Sequence, residues 1–106
     1  MDEQQKVAEF MEEFNFENAP EYQLLDLVSE VGELASDATK STDWGAEPDE
    51  IDVACDELGD AFFSLLVVAE SFDIDAAEAL DKSLEKYRNR IDDPDSPYTG
   101  NGYSEQ

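Results

Sequence analysis

The stretches LLDLVSEVGEL, residues 24–34, and DELGDAFFSLL, residues 56–66, decide the fold because each places acids at helical spacing inside an apolar run. Glu30 and Glu33 are three residues apart in the first stretch, and Glu57 and Asp60 are three apart in the second. Residues at this spacing lie on the same face of a helix. Acids beside a face meant for burial are costly without a counter-charge, and a divalent cation can supply one.

Working outward from these stretches, the apolar periodicity predicts an all-α fold of four helices, at about residues 2–14, 20–40, 48–72 and 75–91. Pro20 is a favoured first-turn residue, and Asp75 is a candidate N-cap. Gly32 interrupts the second helix, and Gly59 occupies a similar place in the third. A mid-helix glycine costs about 1 kcal/mol relative to alanine, and close approach of another helix is the ordinary reason for one.

The charge balance limits the possible partners. The chain of 106 residues has a formal net charge of −23, from 29 acidic and six basic residues. Such a charge repels nucleic acids and anionic membranes, so we expect neither as a partner. Hydrophobic residues make up 41% of the chain and fall in periodic runs, which argues against disorder. The acidic excess instead favours a surface adapted to high salt, as in halophiles.

The ends of the chain and its rare residues give further expectations. The N-terminus MDEQQKV lacks the features of a signal peptide, and no apolar stretch is long enough to span a bilayer, so we expect a soluble cytoplasmic protein. We predict one domain over residues 1–91 and an irregular acidic tail over residues 92–106, where the sequence changes to DDPDSPYTGNGYSEQ. The single cysteine, Cys55, excludes an internal disulfide and is expected to be buried.

The chemistry of the acid pairs leaves two interpretations open. Because the chain has no histidine, the common zinc sites are excluded, and ligation by carboxylates alone favours Mg²⁺, or Mn²⁺ as a substitute. Two facing helices can bring four such carboxylates together. However, pairs at the same spacing also occur elsewhere in this acidic chain, for example Glu9 and Glu12, where they are expected to be solvated.

The residue types in these motifs are informative as well as their spacing. LLDLVSEVGELASDATK, followed by DELGDAFFSLLVVAESFDIDAAEALDKSLEKYRNR, closely resembles the MazG-like family of all-α nucleotide pyrophosphohydrolases. That family carries E-E-x-x-E on one helix and E-x-x-D on the next, and the resemblance covers roughly residues 22–90. It implies a four-helix MazG-like bundle that forms a homodimer or homotetramer. It also implies Mg²⁺-dependent hydrolysis of a nucleoside triphosphate to the monophosphate and pyrophosphate, in nucleotide-pool housekeeping.

The resemblance also implies roles for individual residues. The metal ligands fall on Glu30, Glu33, Glu57 and Asp60, and Glu30 or Glu33 is expected to accept the proton of the attacking water. The first glutamate of the family motif is replaced by Ser29. Asp26, one turn before it, or Asp37, about two turns after it, could substitute for it by helical geometry. The replacement also leaves open a catalytically silent binding or regulatory module of the same fold.

Scarce cations and one tryptophan complete the predicted site. Lys86 and Arg90 lie where the family has a basic segment and are expected to contact phosphate, with Asn89 as a further candidate. Lys40, at the end of the second helix, is expected either to contact the substrate or to interact favourably with the negative end of the helix dipole. Trp44, in the loop between the acid-bearing helices, is the best-placed aromatic for stacking on a base, ahead of Phe14, Phe16 and Tyr22.

Overall fold

The structure, a computed structural model, describes residues 2–16, 18–93 and 95. Its four α-helices are α1 (Asp2–Glu13), α2 (Pro20–Ser41), α3 (Cys55–Ser71) and α4 (Ala76–Asp92), with a short 3₁₀ turn at Pro48–Glu50. No strand occurs within these described ranges, so the predicted all-α fold with four helices is confirmed. Residues 96–106 of the predicted tail lie outside the described residues.

The chain divides into two compact units, Met1–Ile74 and Asp75–Gln106. In the first unit α3 packs against both α1 and α2. Its small apolar core consists of Val7 from α1 together with Leu66, Val67 and Ala69 from α3. The second unit contains α4. No described helix has both the length and the apolar character needed to cross a membrane.

A buried polar side chain fastens α1 to the end of α3. The Nε2 of Gln4 donates hydrogen bonds to Glu70 Oε2 at 2.7 Å and to the carbonyl oxygen of Ile74 at 2.8 Å. The rings of Phe10 on α1 and Phe63 on α3 also meet edge to face, with centroids 5.6 Å apart. This ring contact positions Phe63.

The third helix begins later than the sequence predicts. Pro48–Glu50 is a separate 3₁₀ turn, residues 51–54 have no regular structure, and α3 starts at Cys55. The backbone N–H of Asp52 donates to Ser41 Oγ at 2.9 Å, which attaches this segment to the end of α2. Ala54 then has extended backbone angles, φ −71° and ψ 134°, as the residue before a helix commonly does.

The predicted start of α4 is confirmed. The carboxylate of Asp75 accepts hydrogen bonds from the backbone N–H groups of Ala77 at 2.9 Å and Glu78 at 3.3 Å. These groups have no partner within the helix, so the side chain satisfies donors that would otherwise rely on water.

Two sequence expectations are wrong. A Cβ atom at Gly32 or Gly59 would meet nothing within 4 Å, so no neighbouring helix of the described chain explains either glycine. Cys55 is exposed rather than buried because it is the first residue of α3, at the end of the helix that lies outside the apolar core.

The open space at Gly32 leads to a stability prediction. Replacing Gly32 with alanine should raise the free energy of unfolding by about 0.5–1 kcal/mol because the helix is favoured and nothing is displaced. Gly45 provides the matched control, since its φ of +94° makes an alanine there strained. Denaturant unfolding should show opposite signs for the two variants. A loss of stability in Gly32→Ala would contradict the prediction.

Candidate metal centre

One face of α2 carries four acids whose intervals of four, three and four residues follow the helical repeat: Asp26, Glu30, Glu33 and Asp37. Helix α3 contributes Glu57 and Asp60. The carboxylate of Glu57 interacts electrostatically with Glu33 and Asp37. Asp60, one turn further along α3, interacts with Glu30, one turn earlier on α2. The two helices therefore run antiparallel along a seam of carboxylates.

The centre of this seam is compact. One carboxylate oxygen each from Glu30, Glu33 and Glu57 lies within 4.8 Å of the other two. Ligands around Mg²⁺ stand roughly 3 to 4 Å apart because each lies about 2.1 Å from the ion. The cluster is thus close to the size that one small cation requires. The structure brings together three of the four predicted ligands, and Asp60 lies on the Glu30 side of the cluster, in the adjoining cleft.

Two of the three carboxylates are held where charge is unfavourable. Burial raises the pKa of Glu30, and the nearby charges of Glu33, Asp60 and Asp26 raise it further. Burial likewise raises the pKa of Glu57, followed by the charge of Glu33 and by the charge and hydrogen bonding of Asp37. Both effects disfavour the ionised form, so negative charge on these two carboxylates is electrostatically unfavourable in the folded protein.

Unpartnered oxygen atoms mark the same two residues. Oε2 of Glu30 and Oε2 of Glu57 are buried and have no hydrogen-bond partner. No salt bridge from Lys or Arg reaches the seam within residues 2–16 and 18–74. Buried polar atoms in native proteins normally have partners. A hard cation with oxygen ligands would satisfy both atoms and offset the repulsion, so the residues present fit Mg²⁺ or Mn²⁺, while metal binding itself stays a prediction.

A cleft of about 430 Å³ opens next to the cluster. It combines two aromatic rings, three carboxylates and one buried amide, and its described lining residues are Phe16, Gln23, Asp26, Glu30, Asp60, Phe63, Ser64 and Val67. Small-molecule sites are typically concave and of about this size, with a few polar groups on an apolar wall. The cleft and the cluster share Glu30, so a ligand in the cleft would lie against the candidate metal centre.

Sequence reasoning missed part of this site. Gln23 and Phe63 were assigned no role, although an i, i+7 spacing places Gln23 on the same face of α2 as Glu30. The sequence predicts a role for Asp26 and Asp37 only as substitutes for the missing glutamate at Ser29. The structure brings both into the seam, Asp26 beside Glu30 and Asp37 beside Glu57.

The predicted contacts near the loop lie outside this cleft. Trp44 is 68% exposed, in the turn that follows α2, with a φ of 57°. Lys40 is exposed in the last turn of α2. Neither residue is among the described residues that line the cleft. Their contact with a substrate stays a prediction.

The remaining predicted residues belong to the second unit. Lys86, Asn89 and Arg90 line a shallow depression on α4 together with Lys82 and Glu85. The ring of Tyr87 lies beneath two cations, with Lys86 Nζ at 5.1 Å and Arg90 Cζ at 5.6 Å from its centroid. The depression is therefore a small basic surface in a strongly acidic chain, and it has the groups that bind phosphate.

Comparison with known proteins agrees with the family that the sequence resembles. The family described as the MazG nucleotide pyrophosphohydrolase domain matches residues 18–93, a range that includes α2, α3 and α4. No curated protein and no solved structure matches the chain.

The raised pKa of Glu57 predicts a pH-dependent change in stability for Glu57→Gln in the metal-free protein. In the unfolded chain Glu57 ionises near 4.5, whereas the folded chain retains the proton to higher pH. Stability contributed by this group therefore falls as the pH rises from that value through the raised pKa. We expect the variant to be more stable than the wild type at pH 7 and the difference to shrink towards pH 4.

Denaturant unfolding in a chelator, at constant high KCl, measures this difference. Glu12→Gln is the control because Glu12 is an exposed glutamate on α1, outside the seam. An advantage of Glu57→Gln that does not change with pH, or that grows in acid, would disprove the electrostatic account.

Proposed function

The chain belongs to the MazG nucleotide pyrophosphohydrolase domain family, and we propose that it hydrolyses a nucleoside triphosphate, or its deoxy form, to the monophosphate and pyrophosphate with Mg²⁺. The observation that carries the proposal is the cluster of Glu30, Glu33 and Glu57, in which two buried carboxylate oxygens have no partner. Mn²⁺ has the same preference for oxygen ligands and would substitute.

The proposed reaction assigns each carboxylate a task. Glu30, Glu33, Glu57 and Asp60 would hold the metal, which would supply positive charge to the phosphate oxygens and make the attacking water more acidic. The water oxygen bonds to the α-phosphorus, the bond from this phosphorus to the α–β bridging oxygen breaks, and pyrophosphate leaves with that oxygen. A carboxylate oxygen of Glu30 or Glu33 accepts the proton that the water loses.

The basic surface on α4 would bind the phosphate chain. Arg90 can give two parallel hydrogen bonds to phosphate oxygens, and Lys86 supplies a point charge. Asn89, in the same depression, would add a neutral donor. Lys40 and Trp44 are proposed as further contacts, to phosphate and to the base respectively.

The apolar surface of the first unit supports the further proposal of a homodimer or homotetramer. Large apolar side chains remain exposed on α2 and α3, with Val28 68% and Leu58 56% exposed. An apolar groove of about 740 Å³ between these helices is lined by Leu27, Val31, Cys55, Leu58, Gly59, Ala61, Phe62 and Leu65. Exposed apolar patches of this kind commonly mark interfaces between subunits.

We also propose that the protein is cytoplasmic and adapted to high salt, and that its role is to remove unwanted nucleotides.

A second function, a catalytically silent binding or regulatory module, is favoured by one observation. Ser29 stands where the family motif begins with a glutamate, and this position is exposed on α2. A silent module would bind metal and nucleotide without releasing pyrophosphate. Detection of pyrophosphate therefore separates the two functions directly.

The main test is hydrolysis of a panel of nucleoside and deoxynucleoside triphosphates with Mg²⁺, in high KCl so that self-repulsion is screened. We expect the monophosphate and pyrophosphate in equal amounts, and no reaction in excess chelator. Glu33→Gln should lower kcat by roughly two orders of magnitude or more, the scale expected for loss of a catalytic carboxylate. Release of inorganic phosphate instead of pyrophosphate would contradict the proposed bond cleavage.

Glu12→Gln is the control for Glu33→Gln because it removes the same charge from an exposed position on α1.

Binding of the metal is tested separately, by following Mn²⁺ binding with electron paramagnetic resonance. Alanine at both Glu57 and Asp60 should abolish specific binding of the ion. Retention of that binding would show that the acids serve only to hydrate the surface.

The basic surface on α4 has its own prediction. Arg90→Gln should raise KM for the triphosphate by about tenfold, the cost of losing one charge-assisted hydrogen bond. Arg88 is the matched control because it carries the same charge on the same helix but does not line the depression. If Arg88→Gln raises KM equally, the effect reflects only the net charge, and the assignment of Arg90 is wrong.

A further inference from the structure

Gln23 is the most unusual polar residue of the first unit. Its side chain is only 4% exposed, and its Oε1 is buried without a hydrogen-bond partner. The other buried polar side chains behave differently, since Gln4 donates to Glu70 and Ile74 and Thr42 donates to the carbonyl of Thr39 at 2.7 Å. An unsatisfied buried acceptor destabilises a protein, so a native one calls for an explanation.

The location of Gln23 supplies that explanation. The side chain lines the 430 Å³ cleft next to the carboxylate cluster. Gln23, Asp26 and Glu30 follow one face of α2, and the seven residues from Gln23 to Glu30 span roughly 10 Å along the helix. A ligand that reaches from the amide to the candidate metal centre therefore needs two ends, one for hydrogen bonding and one for the metal. A nucleotide has both, since its sugar separates the base from the phosphates.

Two aromatic rings line the same cleft as the amide. Phe16 and Phe63 are both half-buried and line the cleft, with ring centroids 6.1 Å apart and planes inclined by 66°. Phe63 is held from behind by the edge-to-face contact with Phe10. Aromatic side chains offer flat apolar faces on which any base can stack. The amide then supplies the hydrogen bonding that stacking lacks.

The acceptors in the cleft define the kind of base. Oε1 of Gln23 needs a donor, and Asp26, three residues along the same face, has a carboxylate that only accepts while it is ionised. An exocyclic amino group on a base provides donors to both. An oxo base instead has a single ring N–H on this edge to donate to one of these oxygens, and it directs the lone pairs of its oxo group at the other.

We infer that Gln23 reads the pairing edge of the nucleotide base and that the cleft selects bases with an exocyclic amino group over their oxo counterparts. This inference rests on the proposed function for the identity of the ligand. Two matched substrate pairs test the predicted contact, because CTP differs from UTP, and ATP from ITP, only at the pairing edge, where an oxo group replaces the amino group and the adjacent ring nitrogen gains a hydrogen.

The experiment compares kcat/KM within each pair for the wild type and for Gln23→Leu. We expect the wild type to prefer CTP over UTP and ATP over ITP by about tenfold, the scale of one hydrogen bond with its partner left unpaired. Gln23→Leu should reduce both ratios to near one without loss of stability, since it removes an unsatisfied polar atom. Ratios near one in the wild type, or ratios that Gln23→Leu leaves unchanged, would overturn the inference. Release of pyrophosphate in the same assay would still support the proposed function.

Gln4→Leu is the matched control. It removes a buried glutamine whose hydrogen bonds are already made within the protein, so it should lower stability and leave both ratios intact. If it also abolished the preference, the effect of Gln23→Leu would be a general consequence of core damage, and the inference would fail.

A binding measurement on the wild type keeps the inference testable if no hydrolysis is found. The side-chain amide signal of Gln23 in a ¹⁵N spectrum should shift on addition of CMP and not on addition of UMP or of inorganic tripolyphosphate with Mg²⁺. That result together with an inactive enzyme would reject the proposed function and retain the base site. No shift with CMP or AMP would overturn the inference.

Discussion

The contact between α2 and α3 forces carboxylates of like charge together, and the properties of the candidate site follow from that constraint. The packing of α2 against α3 brings Glu57 to Glu30 and Glu33, with one oxygen of each carboxylate within 4.8 Å of the other two. The cost appears as raised pKa values for Glu30 and Glu57, for which burial is the largest cause. Because a cation bound only by the folded chain stabilises it, metal binding and folding should be coupled in this protein.

The small core makes this coupling more important. Only four apolar side chains of the described chain are buried, one on α1 and three on α3, while large apolar residues of α2 remain exposed. Helix α2 is therefore attached mainly through α3, with acids on one face and an apolar groove beside it. A metal across the seam and a subunit over the groove would stabilise the same helix from two sides.

Sequence periodicity predicted the four helices, the cap at Asp75 and the acids of the cluster, because each depends on spacing along one helix. It failed where the answer depends on another part of the chain. The segment before α3 is hydrogen-bonded from Asp52 to Ser41, eleven residues away in sequence, and α3 begins only after it. Gln23 reads as an ordinary helical residue, and only the folded structure shows that its side chain is buried and lines the same cleft as Phe16 and Phe63.

The position of Gln23 on the same helical face as the acids has a mechanistic consequence. Helix α2 carries the candidate base contact at one end of the face and the candidate metal ligands two turns further on. An α-helix of this length is stiff, so the separation between the two contacts is fixed by the backbone rather than by flexible side chains. A base that fits the amide would hold the α-phosphorus at a set distance from Glu30 and Glu33. A base that does not fit would lose alignment at the phosphorus as well as affinity, and discrimination would then appear in kcat as well as in KM.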